Sequence, residues 1–394
     1  MLSFVTLLSF ALACANALVV PHEDSLALDK REPAPIKLDF DIRKTLNKSS
    51  DIIDLSERAH ALKSRYNRKK RATSSPIVND NDISYLLDVK LGSNKQPVTV
   101  ELDTGSSDLW VYNVSTPGAQ GGSFDPSKSS DDKDTGKAFS ISYLDGSGAE
   151  GEYVTDDFAF ADGKTLLEDF RFAVVDGGEP NSEGVLGVGN KNTEAVSSHY
   201  DNLPWAFQKK GITPKASYSL FLGSEESGKG SIIFGGIDTE KYEGELTKYP
   251  VSGSDGLALE VKSAEVDGKS VALNKPFLLD SGTSLNLWPS PLINAVGKAL
   301  GGLYCFEFYC ISCDQPKDKF LTFDFGNNKI NVSYHDLVFH LSESECVLGV
   351  QPNEETFILG DVFLRSAYVY YDLTLDEISI AQAKYTNASN IVSA

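Results

Sequence analysis

The chain has 394 residues and 41% of them are hydrophobic, which suits two lobes or one large bilobal unit with a packed core and excludes a disordered polymer. Its 36 Lys and Arg against 56 Asp and Glu give a formal charge of −20, a body that nucleic acid repels. With 32 Gly, 1 Met and short recurring runs of Val, Ile, Thr, Tyr and Phe, the texture is that of β-structure with many turns.

The chain opens on MLSFVTLLSFALACANALVV, an apolar run followed by Ala15-Asn16-Ala17. This reads as a secretory signal cut after Ala17, since the run is shorter than the roughly 20 residues of a membrane span. Residues 18–71 differ in composition: they are charged, poor in aromatics, and carry the dibasic pairs Lys30-Arg31 and Lys70-Arg71. In an exported chain, a basic run (Asn67–Arg71) at a composition boundary marks a processing site. The expectation is a propeptide over 18–71, removed by a processing protease at Lys70-Arg71. Residues 1–71 hold 13 basic and 9 acidic side chains, so the remaining chain carries about −24. Acidic surroundings suit such a body, and a basic propeptide docked on it is a simple inhibitor.

Past that boundary, strand-like alternation runs into Asp103 and gives way to Thr104, Gly105, Ser106 and Ser107. Residues 138–158 follow as two alternating runs around a turn, a hairpin in form. The turn contains Gly146, Gly148 and Gly151 in the spacing of a dinucleotide fingerprint, but β-formers follow it where that motif needs a helix. Next come the apolar-Leu-Gly segment Val185-Leu186-Gly187 and a helical stretch over 203–211. A second Asp loop, Asp280-Ser281-Gly282-Thr283, closes another apolar run. The spacing then predicts a helix within 289–302, capped by Ser290, with Pro291 first in the helix and glycines at its end. Four cysteines, Cys305, Cys310, Cys313 and Cys346, form a late cluster. In an exported chain they favour two disulfides in any of three pairings over a zinc site. Ile358-Leu359-Gly360 is a second apolar-Leu-Gly segment, and the C-terminal TNASNIVSA lacks the hydrophobic tail of a lipid anchor. Asn47, Asn113, Asn331 and Asn387 head glycosylation triplets. His199, His335 and His340 form no triad or metal spacing, and nothing calls for a cofactor or a metal.

The chain thus states one pattern twice. Asp-hydroxyl-Gly-hydroxyl at Asp103 and at Asp280 is each followed by apolar-Leu-Gly, with Gly187 84 residues after Asp103 and Gly360 80 residues after Asp280. Asp and Gly alone are ordinary turn residues, but two copies at nearly equal spacing point to an internal duplication. Two similar lobes related by an approximate two-fold axis then bring Asp103 and Asp280 face to face. Like charges so close cannot both ionise cheaply, so the pair shares a proton: one member activates water and the other polarises a carbonyl. Gly105 and Gly282 allow close backbone approach, Ser106 and Thr283 bond the outer carboxylate oxygens, and Thr104 and Ser281 brace the loops. The other reading is a catalytically inactive peptide- or protein-binding protein on the same fold; two intact Asp loops favour the enzyme.

On these loops, and on EGVLGVGNKNTEA, SIIFGGIDTEKYEGEL, ILGDVFLRSAYVYYDL and ISIAQAKYT, the chain resembles the pepsin-like aspartic proteases over about Ile83–Tyr385. Among them it is similar to the secreted candidapepsin-like enzymes of yeasts. The resemblance implies a mainly β, bilobal pepsin-like fold with two β-barrel-like lobes, near 72–260 and 261–394, and a flap over the central cleft. It implies a secreted, monomeric acid endopeptidase acting on protein and peptide substrates, made as a zymogen, with no membrane anchor. It makes Tyr143 the flap tyrosine and Trp110 its hydrogen-bond partner, and puts Leu144, Asp145, Gly105, Gly282, Thr283 and Ser284 against substrate. Leu144 stands where Gly is common in the family, and no cysteine closes a loop in the N-terminal lobe, where Asn113–Ser123 is a shortened substitute. The resemblance also pairs Cys313 with Cys346, leaving Cys305 with Cys310.

Overall fold

Strands dominate the computed structural model, some with alternating burial and others buried throughout, and it describes residues 32–44, 83–117, 119–144, 146–177, 183–224, 229–253, 256–305, 308–342 and 344–394. The signal stretch, Asn47, both dibasic pairs and Asp145 lie outside these residues. The first half contributes β1 (Ile36–Lys44), β2 (Ile83–Leu91), β3 (Gln96–Asp103), β4 (Leu109–Tyr112), β5 (Lys133–Ser142), β6 (Gly148–Phe160), β7 (Thr165–Gly177) and β8 (Gly184–Gly187). In β3 the inward residues are Val98, Val100 and Leu102, and burial continues into Asp103. Strands β2, β3, β8, β4, β7 and β6 follow one another in that order, and β6 pairs back onto β2 at Val89–Phe160, which closes a six-stranded barrel. Strand β5 ends the sheet beyond β6, so the β5–β6 hairpin projects from the barrel.

The second half repeats the wiring of the first. In the first half, β3 pairs in parallel with β8, β8 antiparallel with β4, and β4 in parallel with β7. In the second, strand Lys269–Leu279 pairs in parallel with Ile358–Leu359, that pair antiparallel with Asn286–Trp288, and the last in parallel with Val350–Pro352. The duplicated sequence pattern is therefore a duplicated topology, and the molecule has the bilobal β fold of the pepsin class.

A third layer runs across both halves. Strands 242–250, 377–383, 367–372, 217–221 and 229–234 continue one sheet into β1 and then β2. Strand β1 falls inside the stretch 18–71, yet it lies between two strands of the body, antiparallel to both. Phe40 of β1 is buried edge-on against Tyr85 at 5.4 Å, and Ile36 and Leu38 pack on the main core.

Helices are few. Helix α1 (Leu203–Lys209) buries Leu203, Pro204 and Phe207. Helix α2 (Ser290–Ala299) corrects the expected cap: Pro289 holds the cap position and Ser290 is the first helical residue, which places Pro291 second. The reason is Glu354, whose Oε1 accepts both the Ser290 amide and its hydroxyl, at 3.0 and 2.6 Å. A carboxylate 64 residues away in the chain does the capping, and these bonds hold it below its ordinary range. Helix α3 (Asp361–Leu364) follows the second Leu-Gly segment. The cysteines form Cys305–Cys310 and Cys313–Cys346. His340 Nδ1 lies 3.2 Å from the Cys346 sulfur, but with both sulfurs bonded to each other the trio has no thiolates for a metal.

Candidate active site

Each Asp loop is a strand end held open by an apolar wedge. In the first loop β8 separates β3 from β4, with Gly187 in register with Asp103. A Cβ on Gly187 would lie 2.6 Å from the amide nitrogens of Ser107 and Asp108. On Gly360 it would lie 2.1 Å from the Thr283 carbonyl oxygen. Only glycine lets the wedge seat against the loop. The Val188 amide donates to the Asp103 carbonyl at 2.9 Å, and the Asp280 amide to Leu359 at 3.2 Å, so both loops are pinned from behind.

The two loops meet tip to tip. The Thr104 amide donates to Ser281 Oγ at 3.2 Å, and the Ser281 amide to Thr104 Oγ1 at 3.0 Å. Each hydroxyl reaches on to the opposite strand: Thr104 Oγ1 donates to the Leu279 carbonyl and Ser281 Oγ to that of Leu102, both at 2.8 Å. This reciprocal brace brings the carboxyl groups together. A Cβ on Gly105 would stand 2.6 Å from Asp280 Oδ1, and one on Gly282 the same distance from Asp103 Oδ1. Each glycine therefore leaves room for the other loop's aspartate. Within its own loop, Asp103 Oδ1 accepts the Gly105 amide at 2.7 Å and Oδ2 accepts Ser106 Oγ. Asp280 Oδ1 accepts the Gly282 amide at 3.0 Å and Oδ2 accepts Thr283 Oγ1 at 2.6 Å. Ser284 is half-buried beside them.

Both aspartates are buried, at 6% and 7% exposure, which sets the electrostatics. Burial, then the neighbouring Asp280 charge, pushes Asp103 up to about 7 against the opposing bonds from Ser106 and Gly105. Two carboxyl groups this close titrate as a pair, and the raised Asp103 keeps its proton where an ordinary aspartate has lost it. Such a pair offers a base and an acid a few Å apart at acidic pH.

The β5–β6 hairpin supplies the roof. Its tip runs through Tyr143, whose amide donates to the Ser147 carbonyl at 2.9 Å, while the Gly146 amide donates back to Tyr143 at 3.0 Å. Trp110 Nε1 donates to Tyr143 Oη at 2.7 Å, and the same phenol is hydrogen-bonded to Ser106. Burial, followed by the charge of Asp103, keeps this phenol protonated well above its ordinary range. Trp110 thus holds the roof over the first loop, where Ser106 bonds Asp103. Leu144 is 51% exposed, directed away from the packed cluster that holds Tyr143.

Two structural residues of the site carry no signal in the repeated motif. Asp108, five positions after Asp103, is fully buried and accepts Tyr153 Oη at 2.6 Å, Tyr200 Oη at 2.7 Å and the Ala195 amide at 2.8 Å. Its counterpart in the second loop is Leu285, so comparing the copies exposes the asymmetry. Asn286, also buried, accepts the Gly360 amide at 2.8 Å and fixes the second wedge. His199 lies against Glu194 at 3.3 Å, outside the Asp loops.

Residues 84–383 match the family described as eukaryotic aspartyl protease. An acid protease of Saccharomycopsis fibuligera is 36% identical over 382 residues, 91% of this chain and 95% of its own. The candidapepsin of Candida tropicalis is 36% identical over 401 residues, covering 98% and 96% of the two chains. Secreted aspartic protease 4 of Candida albicans is 37% identical over 346 residues, 82% of each. With two matching Asp loops, a flap hairpin and these relatives, the chain belongs to the eukaryotic aspartyl protease family and is an aspartic endopeptidase.

Proposed function

We propose that this is a secreted acid endopeptidase, made as a zymogen, whose catalytic pair is Asp103 and Asp280. The observation that carries the reading is the buried carboxyl pair brought together by two reciprocally braced loops. The ionised member takes a proton from a bound water as its oxygen attacks the peptide carbonyl carbon. The protonated member gives its proton to the carbonyl oxygen, forming a neutral gem-diol. Collapse breaks the C–N bond, and the departing nitrogen takes the proton that the first aspartate gained from water. One diol hydroxyl gives its proton to the second aspartate, which leaves a carboxylic acid and an amine and restores the pair. Tyr143, Leu144, Gly105, Gly282, Thr283 and Ser284 surround the peptide, and the flap amides read its extended backbone.

The proposed organisation is a signal over 1–17, a propeptide over 18–71, and lobes over 72–260 and 261–394. Relatives named as secreted proteases support export, and no helix among the described residues is long and apolar enough to cross a membrane. Strand β1 supports a propeptide that belongs to the folded precursor, since it is threaded between β2 and strand 229–234. The enzyme acts as a monomer, with its own propeptide as inhibitor and a processing protease at Lys70-Arg71 as partner. Asn113, Asn331 and Asn387 are its proposed glycan acceptors. Its preference is for large apolar residues on both sides of the cut bond, with Asp145 adding acceptance of Lys just before it.

Asp103→Asn and Asp280→Asn should each leave less than about a hundredth of wild-type proteolysis with the fold kept, because each removes half of the proton-sharing pair. Activity above that level with a native circular dichroism spectrum sinks the assignment. In the wild type, the raised Asp103 keeps its proton in acid and loses it as the pH rises through about 7, so kcat/KM falls there. A profile flat from pH 5 to 8 contradicts the shared proton. Terminal sequencing of the secreted enzyme should read Ala72 first; a start beyond Ile83, or full activity with the propeptide attached, counts against the zymogen. Asp145→Thr should slow cleavage after Lys far more than after Phe, and an equal change at both sites makes Asp145 a turn residue only.

A further inference from the structure

Beneath the two aspartates lies a pair of tyrosines that the chemistry above does not use. Tyr371, in strand 367–372, and Tyr218, in strand 217–221, are direct partners across the ladder and point to the same face of the central sheet. Their rings stack at 4.8 Å with an interplanar angle of 26°, and both side chains are fully buried. Tyr371 Oη lies 3.4 Å from the carbonyl oxygen of Leu279, the residue before Asp280. The Leu279 carbonyl is the acceptor that Thr104 Oγ1 uses at 2.8 Å, and Thr104 Oγ1 in turn receives the Ser281 amide at 3.0 Å. Tyr371 therefore joins the brace at the point where the two loops are tied.

The tie is anchored outside either loop. Strand 367–372 is interior to the sheet that runs across both halves, paired with 377–383 on one side and 217–221 on the other. The stack on Tyr218 fixes the ring of Tyr371, and its hydroxyl meets the brace at the Leu279 carbonyl. Burial is the first cause that pushes both phenols upward, with the charge of Asp280 adding to it at each and that of Asp103 at Tyr218. Both stay neutral at every pH where the enzyme works, so Tyr371 is a constant donor while the pair above it changes charge.

We propose that Tyr371 is a positioning residue for the aspartate pair: held by its stack on Tyr218, its hydroxyl fixes the Leu279 carbonyl that the Thr104 hydroxyl also uses, and so sets the separation of Asp103 and Asp280. The inference rests on the reading of those aspartates as the catalytic pair. Coulomb repulsion falls with distance and with entering water, so a slack brace weakens the mutual effect that keeps the shared proton in place. The proton then leaves at lower pH. Tyr371 is buried below the floor and touches no substrate, so binding is spared while turnover suffers.

The test is Tyr371→Phe in the full-length chain, processed as the wild type and assayed on a peptide with Phe at the cut bond from pH 3 to 8. The expected result is kcat lower by about five- to tenfold, KM within about twofold, and an alkaline limb moved down by about half a pH unit or more. The control is Tyr368→Phe, on the same strand but the opposite face, whose hydroxyl serves Ser219 at 2.8 Å and the Asp238 amide at 2.6 Å. It should lower the melting temperature and leave the limb alone. Wild-type kcat and limb in Tyr371→Phe, or an equal shift in Tyr368→Phe, overturns the proposal. Should Tyr371→Phe not accumulate, Tyr218→Leu loosens the same ring without removing its hydroxyl; a shift of the limb in the same direction supports the proposal and an unmoved limb overturns it. Asp280→Asn assayed alongside separates the two readings. If it is active, the pair assignment fails; if it is dead while Tyr371→Phe behaves as wild type, only the positioning role fails.

Discussion

Two buried carboxyl groups repel each other as soon as both lose their protons, and everything near the cleft serves to keep them together regardless. The cost of that proximity is met by structure on three sides. Thr104 and Ser281 exchange hydrogen bonds across the loops, the Leu-Gly wedges pin each loop from behind, and the two loop glycines leave space where any side chain would push the opposite carboxylate away. Remove the brace and the pair relaxes towards two ordinary, independent acids. Hold it, and one proton is retained far above the usual range of a carboxyl group.

Duplication gives the pair its geometry, and departures from duplication give it direction. The Asp strand, wedge and return strand recur in both halves with the same parallel and antiparallel pairings. The environments nevertheless differ. Asp108 ties the first loop to Tyr153, Tyr200 and Ala195, where the second loop has apolar Leu285 and relies on Asn286. The flap hairpin belongs to the first half, and its Tyr143, held by Trp110, lies where the charge of Asp103 acts on it. A symmetric frame thus holds two carboxyl groups in unequal surroundings, and under the proposed reading that inequality lets one act as acid and the other as base.

Much of this was legible in the sequence because it is written locally. The Asp loops, the wedges and the alternating runs of the flap hairpin are contiguous signatures, and their repetition at similar spacing implies the two-fold frame. What escaped is non-local. Ser290 looks like a helix cap, yet Glu354, far along the chain, takes that function and shifts the helix start by one. Strand β1 sits in a charged segment that reads as detachable, yet Phe40 fills a place beside Tyr85 in the core. The stack of Tyr218 on Tyr371 exists only once two strands 150 residues apart are in register, and Asp108 looks like one more polar turn residue until its three partners converge. Local pattern names the elements; only packing reveals which polar groups they leave inside.

The most direct test of the shared proton is a carboxyl carbon-13 titration of the processed enzyme, free of substrate, with signals assigned through Asp103→Asn and Asp280→Asn. One carboxyl of the pair should remain protonated through acidic pH and titrate near 7, and Asp280→Asn should bring the Asp103 signal down by removing the neighbouring charge. Two signals that both ionise below about pH 5, each indifferent to loss of the other, would contradict the account.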